Sequence, residues 1–333
     1  MSLQPIIIAD RYVLGEKIGS GSFGSIYSAF DNKKNIKVAM KLESVDMEPQ
    51  QLVIEKNHYI KLGAGINSND NNKGIPKIYD FFQNYKLKQG YYNILVMDLL
   101  GDNLENLMQK CGGKFSLKTT IQIAIQLIER IKYLHDNSIL HRDIKPDNFL
   151  IGPNNIIHIV DLGLSKKYKD HVTSIHIQYR ENKRLIGTPR YASINCHLGI
   201  EQARRDDIES ILYLLIYLLN GKLPWQGIQA SNKKTKYKKI LEKKLNTSID
   251  LLCRGIPSDF NMLFEYLKTL KFTDKPDYSY ILSLFQKMAG KYNIKLDNIY
   301  DWDLLNTTNL LDINEKNISK YLPSSLEIDS SSD

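Results

Sequence analysis

The hydrophobic rhythm of the chain changes about a third of the way along. Up to residue 97, short runs rich in β-branched and aromatic residues recur at 12–18, 25–29, 37–42, 78–82 and 92–97. That spacing predicts the strands of an antiparallel sheet. One helical stretch interrupts them: Pro49 suits a first helical turn, and Leu52, Ile54, Tyr59 and Leu62 follow before Gly63. Beyond Gly101 the apolar positions take up helical spacing at 117–137, 206–219, 233–244 and 259–270, with few strands between. Two unlike lobes are therefore expected to meet near residues 97–101: a sheet-rich lobe over 1–97 and a helical lobe over 98–308. The polar run at 67–73 reads as an exposed loop insertion, and 309–333 as a polar, mobile tail.

Composition narrows the class. With 333 residues, 42% hydrophobic and 25% charged, the chain is long enough for a sizeable core and is not disordered throughout. The longest nearly uncharged apolar run, 211–219, is far short of the roughly 20 residues that cross a bilayer, and reads as a buried helix. No lysine or arginine precedes the run Ile6-Ile7-Ile8, which argues against a secretory signal. Cys111, Cys196 and Cys253 are odd in number and far apart, suggesting neither a disulfide framework nor a zinc site. An intracellular protein is expected, cytoplasmic with nuclear entry an option. The net charge of +8 favours an anionic partner: a nucleotide, a phosphoprotein or nucleic acid.

Gly19-Ser20-Gly21-Ser22-Phe23-Gly24-Ser25-Ile26 fits G-x-G-x-x-G followed by a β-branched residue. Strand patterns lie on both sides, whereas the dinucleotide-binding fingerprint opens a helix. A glycine hairpin of this kind can lay backbone N–H groups over phosphates, because no Cβ blocks the approach. In Val38-Ala39-Met40-Lys41 a lone lysine sits in an apolar strand and needs an anionic partner. Glu55, in the sole helical stretch of this lobe, is the candidate. Such a pair would hold Lys41 on the α- and β-phosphates of a nucleotide.

The most specific segment is His141-Arg142-Asp143-Ile144-Lys145-Pro146-Asp147-Asn148, followed by Asp161-Leu162-Gly163. It matches H-R-D-x-x-x-x-N and then D-x-G, in the order that phosphoryl transfer needs. Asp143 can accept the proton of an attacking hydroxyl, Asn148 and Asp161 can offer oxygens to Mg²⁺, and Lys145 can offset charge on the γ-phosphate. His141 is read as a hydrogen-bonding support of this loop, and Asp207 as a buried acceptor for its backbone. The other histidines show no ligand spacing.

These motifs resemble those of eukaryotic protein kinases. The runs Lys145-Pro146-Asp147-Asn148-Phe149-Leu150, Tyr179-Arg180-Glu181-Asn182-Lys183, Gly187-Thr188-Pro189-Arg190-Tyr191-Ala192-Ser193-Ile194-Asn195, His197-Leu198-Gly199-Ile200-Glu201-Gln202, Leu223-Pro224-Trp225-Gln226-Gly227 and Lys275-Pro276-Asp277-Tyr278 are similar to the casein kinase 1 family, over about residues 10–305. The resemblance implies an α+β bilobal fold, with an antiparallel N-lobe sheet and one main helix above a mainly α-helical C-lobe. It also implies ATP and Mg²⁺, with Ile18, residues 19–26, Ala39, Lys41, Met97, Asp98 and Leu99 around the nucleotide. Serine/threonine substrates are implied, acidic or already phosphorylated before the target, with Arg190, Lys236 and the backbone at Gly227 matching the family's anion pocket. Arg142, Lys166 and Lys183 form a second candidate cluster near the activation segment, which is expected to work without phosphorylation. Ser193-Ile194-Asn195 stands where most kinases have A-P-E, and Leu162 replaces the Phe of D-F-G; both follow the family. Pro189, where the family usually has a small residue, removes one N–H donor.

The lysines at 233, 234, 236, 238, 239, 243 and 244 read first as a solvated helix face. Acidic-substrate docking and nuclear import are the sharper alternatives. Nucleic acid is disfavoured as a partner because no aromatic stacking motif accompanies them. A catalytically inert kinase-like scaffold is disfavoured because Lys41, Glu55, Asp143, Asn148 and Asp161 are all present. The sequence leaves physiological substrates open, and a monomer is the favoured state.

Overall fold

The computed structural model describes residues 5–21, 24–64, 74–170 and 172–305. The insertion at 67–73 and the tail at 309–333 lie outside the described residues. Strands β1 (Ile7–Ile8), β2 (Tyr12–Gly21), β3 (Gly24–Asp31) and β4 (Ile36–Ser44) precede helix α1 (Leu52–Lys61), and β5 (Ile78–Leu87) and β6 (Gly90–Asp98) follow it. The six strands form one antiparallel sheet in the order β1-β2-β3-β4-β6-β5. Arg11 ties its corner together, pairing with Asp31 at 2.6 Å and Asp80 at 2.7 Å.

Alternation along β4 and β6 divides two cores. Val38, Met40 and Leu42 with Ile94 and Val96 face a small cluster that includes Ile8 and Tyr12. Ala39, Leu95 and Met97 point the other way, into the main core that continues into the helical part. Because successive side chains of a strand take opposite faces, Lys41 shares the face of Ala39 and looks toward α1. The helix does not start at Pro49: Glu43 of β4 accepts the N–H groups of Gln51 and Leu52 at 2.7 and 3.1 Å, so helical turns begin at Leu52. A carboxylate on the first free N–H groups is the usual way to start a helix.

After β6 come α2 (Leu104–Lys110), α3 (Leu117–Asp136), the short strands β7 (Ile139–Leu140), β8 (Phe149–Ile151), β9 (Ile157–Ile159) and β10 (Lys166–Lys167), and then α4 (Ile194–His197), α5 (Arg204–Asn220), α6 (Lys233–Leu245), α7 (Ile249–Leu252), α8 (Asp259–Thr269) and α9 (Tyr278–Lys291). Helix α5 is buried over most of its length and apolar all round from Ile211 to Leu219, packed on α3 and α8. Among the described residues no helix is long and apolar enough to cross a membrane. The architecture is the α+β arrangement expected above: an antiparallel sheet with one helix, joined to a mainly helical lobe.

Candidate active site

The two ends of the glycine-rich segment are built differently. Gly19 pairs with Ile26, Ser20 with Ser25 and Gly21 with Gly24, which makes the segment a hairpin of β2 and β3, with Ile18 and Ser20 on its first arm. Ser22 and Phe23 lie outside the described residues. Gly24 has φ +150°, and a Cβ there would stand 2.2 Å from the Leu42 carbonyl oxygen, so close passage of β4 demands glycine. A Cβ on Gly21 would meet no atom of the described residues within 4 Å, its chain neighbours aside. The room beside Gly21 is therefore not taken up by their packing.

Lys41 is buried, 8% exposed. Its Nζ lies 2.7 Å from Glu55 Oε2 and 2.8 Å from Asp161 Oδ1. Burial alone would pull the ammonium down, but the two carboxylates hold it above its ordinary value. Asp161 is held below the usual carboxylate range: burial raises it, and Lys41 more than reverses that. The Asp161 backbone has φ +62°, a sparsely populated region for a side-chain-bearing residue, and its N–H donates to the Tyr59 hydroxyl of α1 at 3.1 Å. One oxygen of Asp161 is thus committed to Lys41, and the other is left for a ligand.

Ala39 and Met97 are cross-strand partners on β4 and β6, packed in the same core as the partly buried Ile26 and Leu99. They form an apolar wall beside Lys41. The Asp98 side chain turns away from it, accepting from the Lys77 N–H and the Tyr79 hydroxyl, each at 2.7 Å. What Asp98 can offer a nucleotide is consequently backbone.

The loop at 141–148 is over-determined. Asp207, buried at the start of α5, accepts from the N–H groups of His141 (2.8 Å) and Arg142 (2.9 Å) and pairs with His135 Nε2 (2.9 Å). Burial lowers His135, and Asp207 stays below the ordinary carboxylate range because these donors outweigh its own burial. Arg142 has φ +66°; such a backbone costs about 1–3 kcal/mol and persists only where its surroundings impose it. His141 Nδ1 accepts from the Asp143 N–H at 3.2 Å while Nε2 reaches the Val160 carbonyl at 3.1 Å, so the ring spans the loop and the strand before Asp161.

Asp143 Oδ2 pairs with Lys145 Nζ at 2.9 Å, and Oδ1 accepts from the Thr188 hydroxyl at 2.8 Å. Lys145 is raised: burial lowers it, and Asp143 outweighs that. Asn148 Nδ2 donates to the Asp143 carbonyl at 2.9 Å, which leaves its amide oxygen free for a cation. A carboxylate oxygen of Asp161 and the amide oxygen of Asn148 are hard donors of the kind Mg²⁺ takes, with phosphate oxygens and water completing the shell. Thr188 was not singled out by the sequence reading; its signal was the Gly187-Thr188 pair. Gly187 has φ +93°, and a Cβ there would lie 2.3 Å from the Arg142 carbonyl oxygen. Only glycine lets the activation segment pass this close and bring Thr188 onto Asp143.

Arg190 stands over the rings of Tyr191 and Tyr217, at 5.7 and 5.4 Å, and donates to the Tyr191 hydroxyl at 3.3 Å. Gly227 has φ +73° and Lys236 is exposed on α6. Arg142, Lys166 and Lys183 line one recess of about 390 Å³. The sequence reading missed that Glu201 shares it: Glu201 pairs with Lys166 at 2.9 Å and Lys183 at 3.5 Å. Of the lysines on α6, those at 233, 234, 236, 238, 239 and 243 are exposed, but Lys244 is 3% exposed. The solvated-face reading fails for Lys244 because it lies one turn from the buried Ile240, on the inward side.

The chain thus gathers a lysine held by two carboxylates under a glycine hairpin, an aspartate flanked by lysine and threonine, and a pair of hard oxygen donors between them. A family model of the protein kinase domain matches residues 12–278, most of the chain and all of these groups. The chain belongs to the protein kinase domain family, phosphotransferases that bind ATP and act on proteins.

Proposed function

We propose that this kinase transfers the γ-phosphoryl group of Mg²⁺-ATP to serine or threonine in acidic or prephosphorylated proteins, in the manner of the casein kinase 1 family. The observation that carries the reading is the position of Asp143, 2.8 Å from the hydroxyl of Thr188, two residues before Arg190. A serine or threonine hydroxyl entering there has the same chemistry as the Thr188 hydroxyl that Asp143 already accepts. The acceptor oxygen attacks the γ-phosphorus as the bond to the bridging oxygen of ADP breaks, and its proton passes to Asp143. Lys41 binds and orients the phosphates, Glu55 keeps Lys41 in place, and Lys145 sits beside Asp143 to offset charge on the transferring group. When bound, Mg²⁺ would draw charge from the phosphate oxygens, with Asn148 and Asp161 as its protein ligands.

Arg190, Lys236 and the backbone at Gly227 would hold the upstream anion, since a guanidinium, an ammonium and an N–H group together suit phosphate. Among the described residues no salt bridge holds Arg190; its neighbours are the Tyr191 and Tyr217 rings, and Glu105, bonded by the Tyr217 hydroxyl, acts on it from further off. Glu201, already seated among Lys166 and Lys183 and within the field of Arg142, supplies the negative charge that a phosphate on the activation segment would otherwise bring. The test uses protein shown by mass spectrometry to carry no phosphate, with radiolabelled ATP and two serine peptides, with and without an upstream phosphoserine. Transfer by the wild type and its loss in Asp143→Asn are expected. Arg190→Ala with Lys236→Ala should lower kcat/KM about 10-fold or more for the phosphopeptide, from charge-assisted contacts of about 1.5–3 kcal/mol each reduced by solvent screening. The plain peptide and the KM for ATP should change little. Equal losses on both peptides would place the two residues in support of the fold and remove the anion pocket.

A further inference from the structure

The segment 188–194 is held from beneath by side chains from three parts of the fold, the buried Trp225 and Lys244 and the half-buried Glu209. Trp225 Nε1 donates to the Arg190 carbonyl at 2.7 Å. Glu209 of α5 accepts from the Ile194 N–H at 2.9 Å and from the Tyr213 hydroxyl at 2.8 Å. Between these two anchors the Nζ of Lys244, reaching in from α6, donates to the Ala192 carbonyl. The amine lies 4.7 Å from the centroid of the Tyr213 ring and 4.9 Å from that of Trp225, so two aromatic faces stand where water would otherwise be. Cys196 and His197 of α4 complete its surroundings.

Stability does not explain a lysine in this place. Packing alone does not call for an amine, since a methionine would fill the same space on the two rings, and burial pulls the Lys244 amine down to about 7. What only the amine supplies is a donor to Ala192, two residues from Arg190 and four from the Thr188 that faces Asp143. We propose that Lys244 is a positioning residue for the protein substrate: it sets the path of segment 188–192 past Asp143, and through it the productive binding of the acceptor, with no part in nucleotide binding. This rests on the acceptor-facing role given to that segment above. It also makes the underside of α6 a structural partner of the activation segment, while its outer face carries Lys236.

Lys244→Met keeps the packing and removes the donor. Its kcat/KM should fall about tenfold for both the phosphopeptide and the plain peptide, the scale of one lost buried hydrogen bond. The KM for ATP and the rate of ATP hydrolysis to water should stay within about twofold, with the protein still folded and its Tm lower by several degrees, since the buried Ala192 carbonyl loses its donor. Loss on both peptides separates this role from that of Arg190 and Lys236, whose removal acts on the phosphopeptide alone; either reading can therefore fail without the other. Unchanged peptide turnover, or ATP hydrolysis falling in step with it, would overturn the proposal. Should Lys244→Met destabilise the fold by leaving Glu209 without its neighbouring cation, Lys244→Met with Glu209→Gln removes that charge, keeps the oxygen that accepts from Ile194, and carries the same expectation. If neither protein folds, Lys244 belongs to the core alone and the proposal is overturned.

Discussion

Lys41 is the residue where charge and burial bear most directly on each other. Its ammonium serves two carboxylates at 2.7 and 2.8 Å in a nearly dry setting. Lys41→Met would keep the packing of β4 yet abolish nearly all transfer, because the phosphates lose their cation; retention of half the wild-type turnover would refute the role. The variant should also melt earlier. Removing one partner of a buried pair costs about 3–5 kcal/mol, since Glu55, 1% exposed, is left uncompensated. Burial already raises Glu55, and without Lys41 its folded-state pKa rises further above the unfolded one. Stability from such a group is present at low pH and lost as pH rises through the folded value, so the Tm deficit of Lys41→Met should be larger at pH 7.5 than at pH 5. A deficit that does not depend on pH would show that Glu55 has found another partner.

At the scale of elements, the glycine hairpin separates two reasons for the same residue type. Gly24 is glycine because β4 passes too close for a Cβ, whereas Gly21 faces open space. Gly24→Ala should cost about 1–3 kcal/mol through backbone strain and displacement of Leu42. Gly21→Ala should melt like the wild type and yet raise the KM for ATP, since its methyl group enters the space proposed for phosphates. Thermal melts and nucleotide kinetics on the two variants check this; a stable Gly24→Ala, or a Gly21→Ala with unchanged ATP KM, would contradict the assignment. Helix α6 shows the same division within one element. Its outer lysines are exposed to solvent, whereas Lys244 is buried and donates to the Ala192 carbonyl.

At the scale of the whole molecule, five histidines share one property. His58, His135, His158, His176 and His197 are all lowered by burial in the folded chain, His197 to about 4. Their neutral forms are favoured by folding, so the stability they allow is present above the unfolded value of about 6.5 and is lost as pH falls below it. His197, lowered to about 4, can withdraw about 1.4 kcal/mol one pH unit below that value, and the other four act in the same direction. The urea midpoint should therefore drop between pH 7.5 and pH 5.5, and a midpoint unchanged over that range would show that the raised carboxyls of Glu55, Asp206 and Glu209 offset the histidines.

The same molecule marks the boundary between what local pattern decides and what packing decides. Strand alternation placed Lys41 on the face of Ala39, and the spacing from Asp143 to Asn148 and on to Asp161 was readable because one loop and the short hairpin after it carry all three. Those are consequences of period and short-range geometry, which any stretch of sequence displays. The start of α1 was misjudged because Glu43, on a neighbouring strand, supplies the N–H acceptor that moves the helix past Pro49. The contact of Thr188 with Asp143, the carboxylate of Glu201 among three cations, and the amine of Lys244 under Ala192 join residues 18 to 59 positions apart or on different elements. The spacing of Ile240 and Lys244 marked Lys244 as inward-facing, but nothing local says which buried carbonyl will satisfy it. By itself the sequence determined the fold and pointed to the groups proposed here to bind phosphate and accept the proton. Only the tertiary structure decided how the substrate-facing segment is held, because a buried donor finds its acceptor through packing between elements, and periodicity carries no record of that pairing.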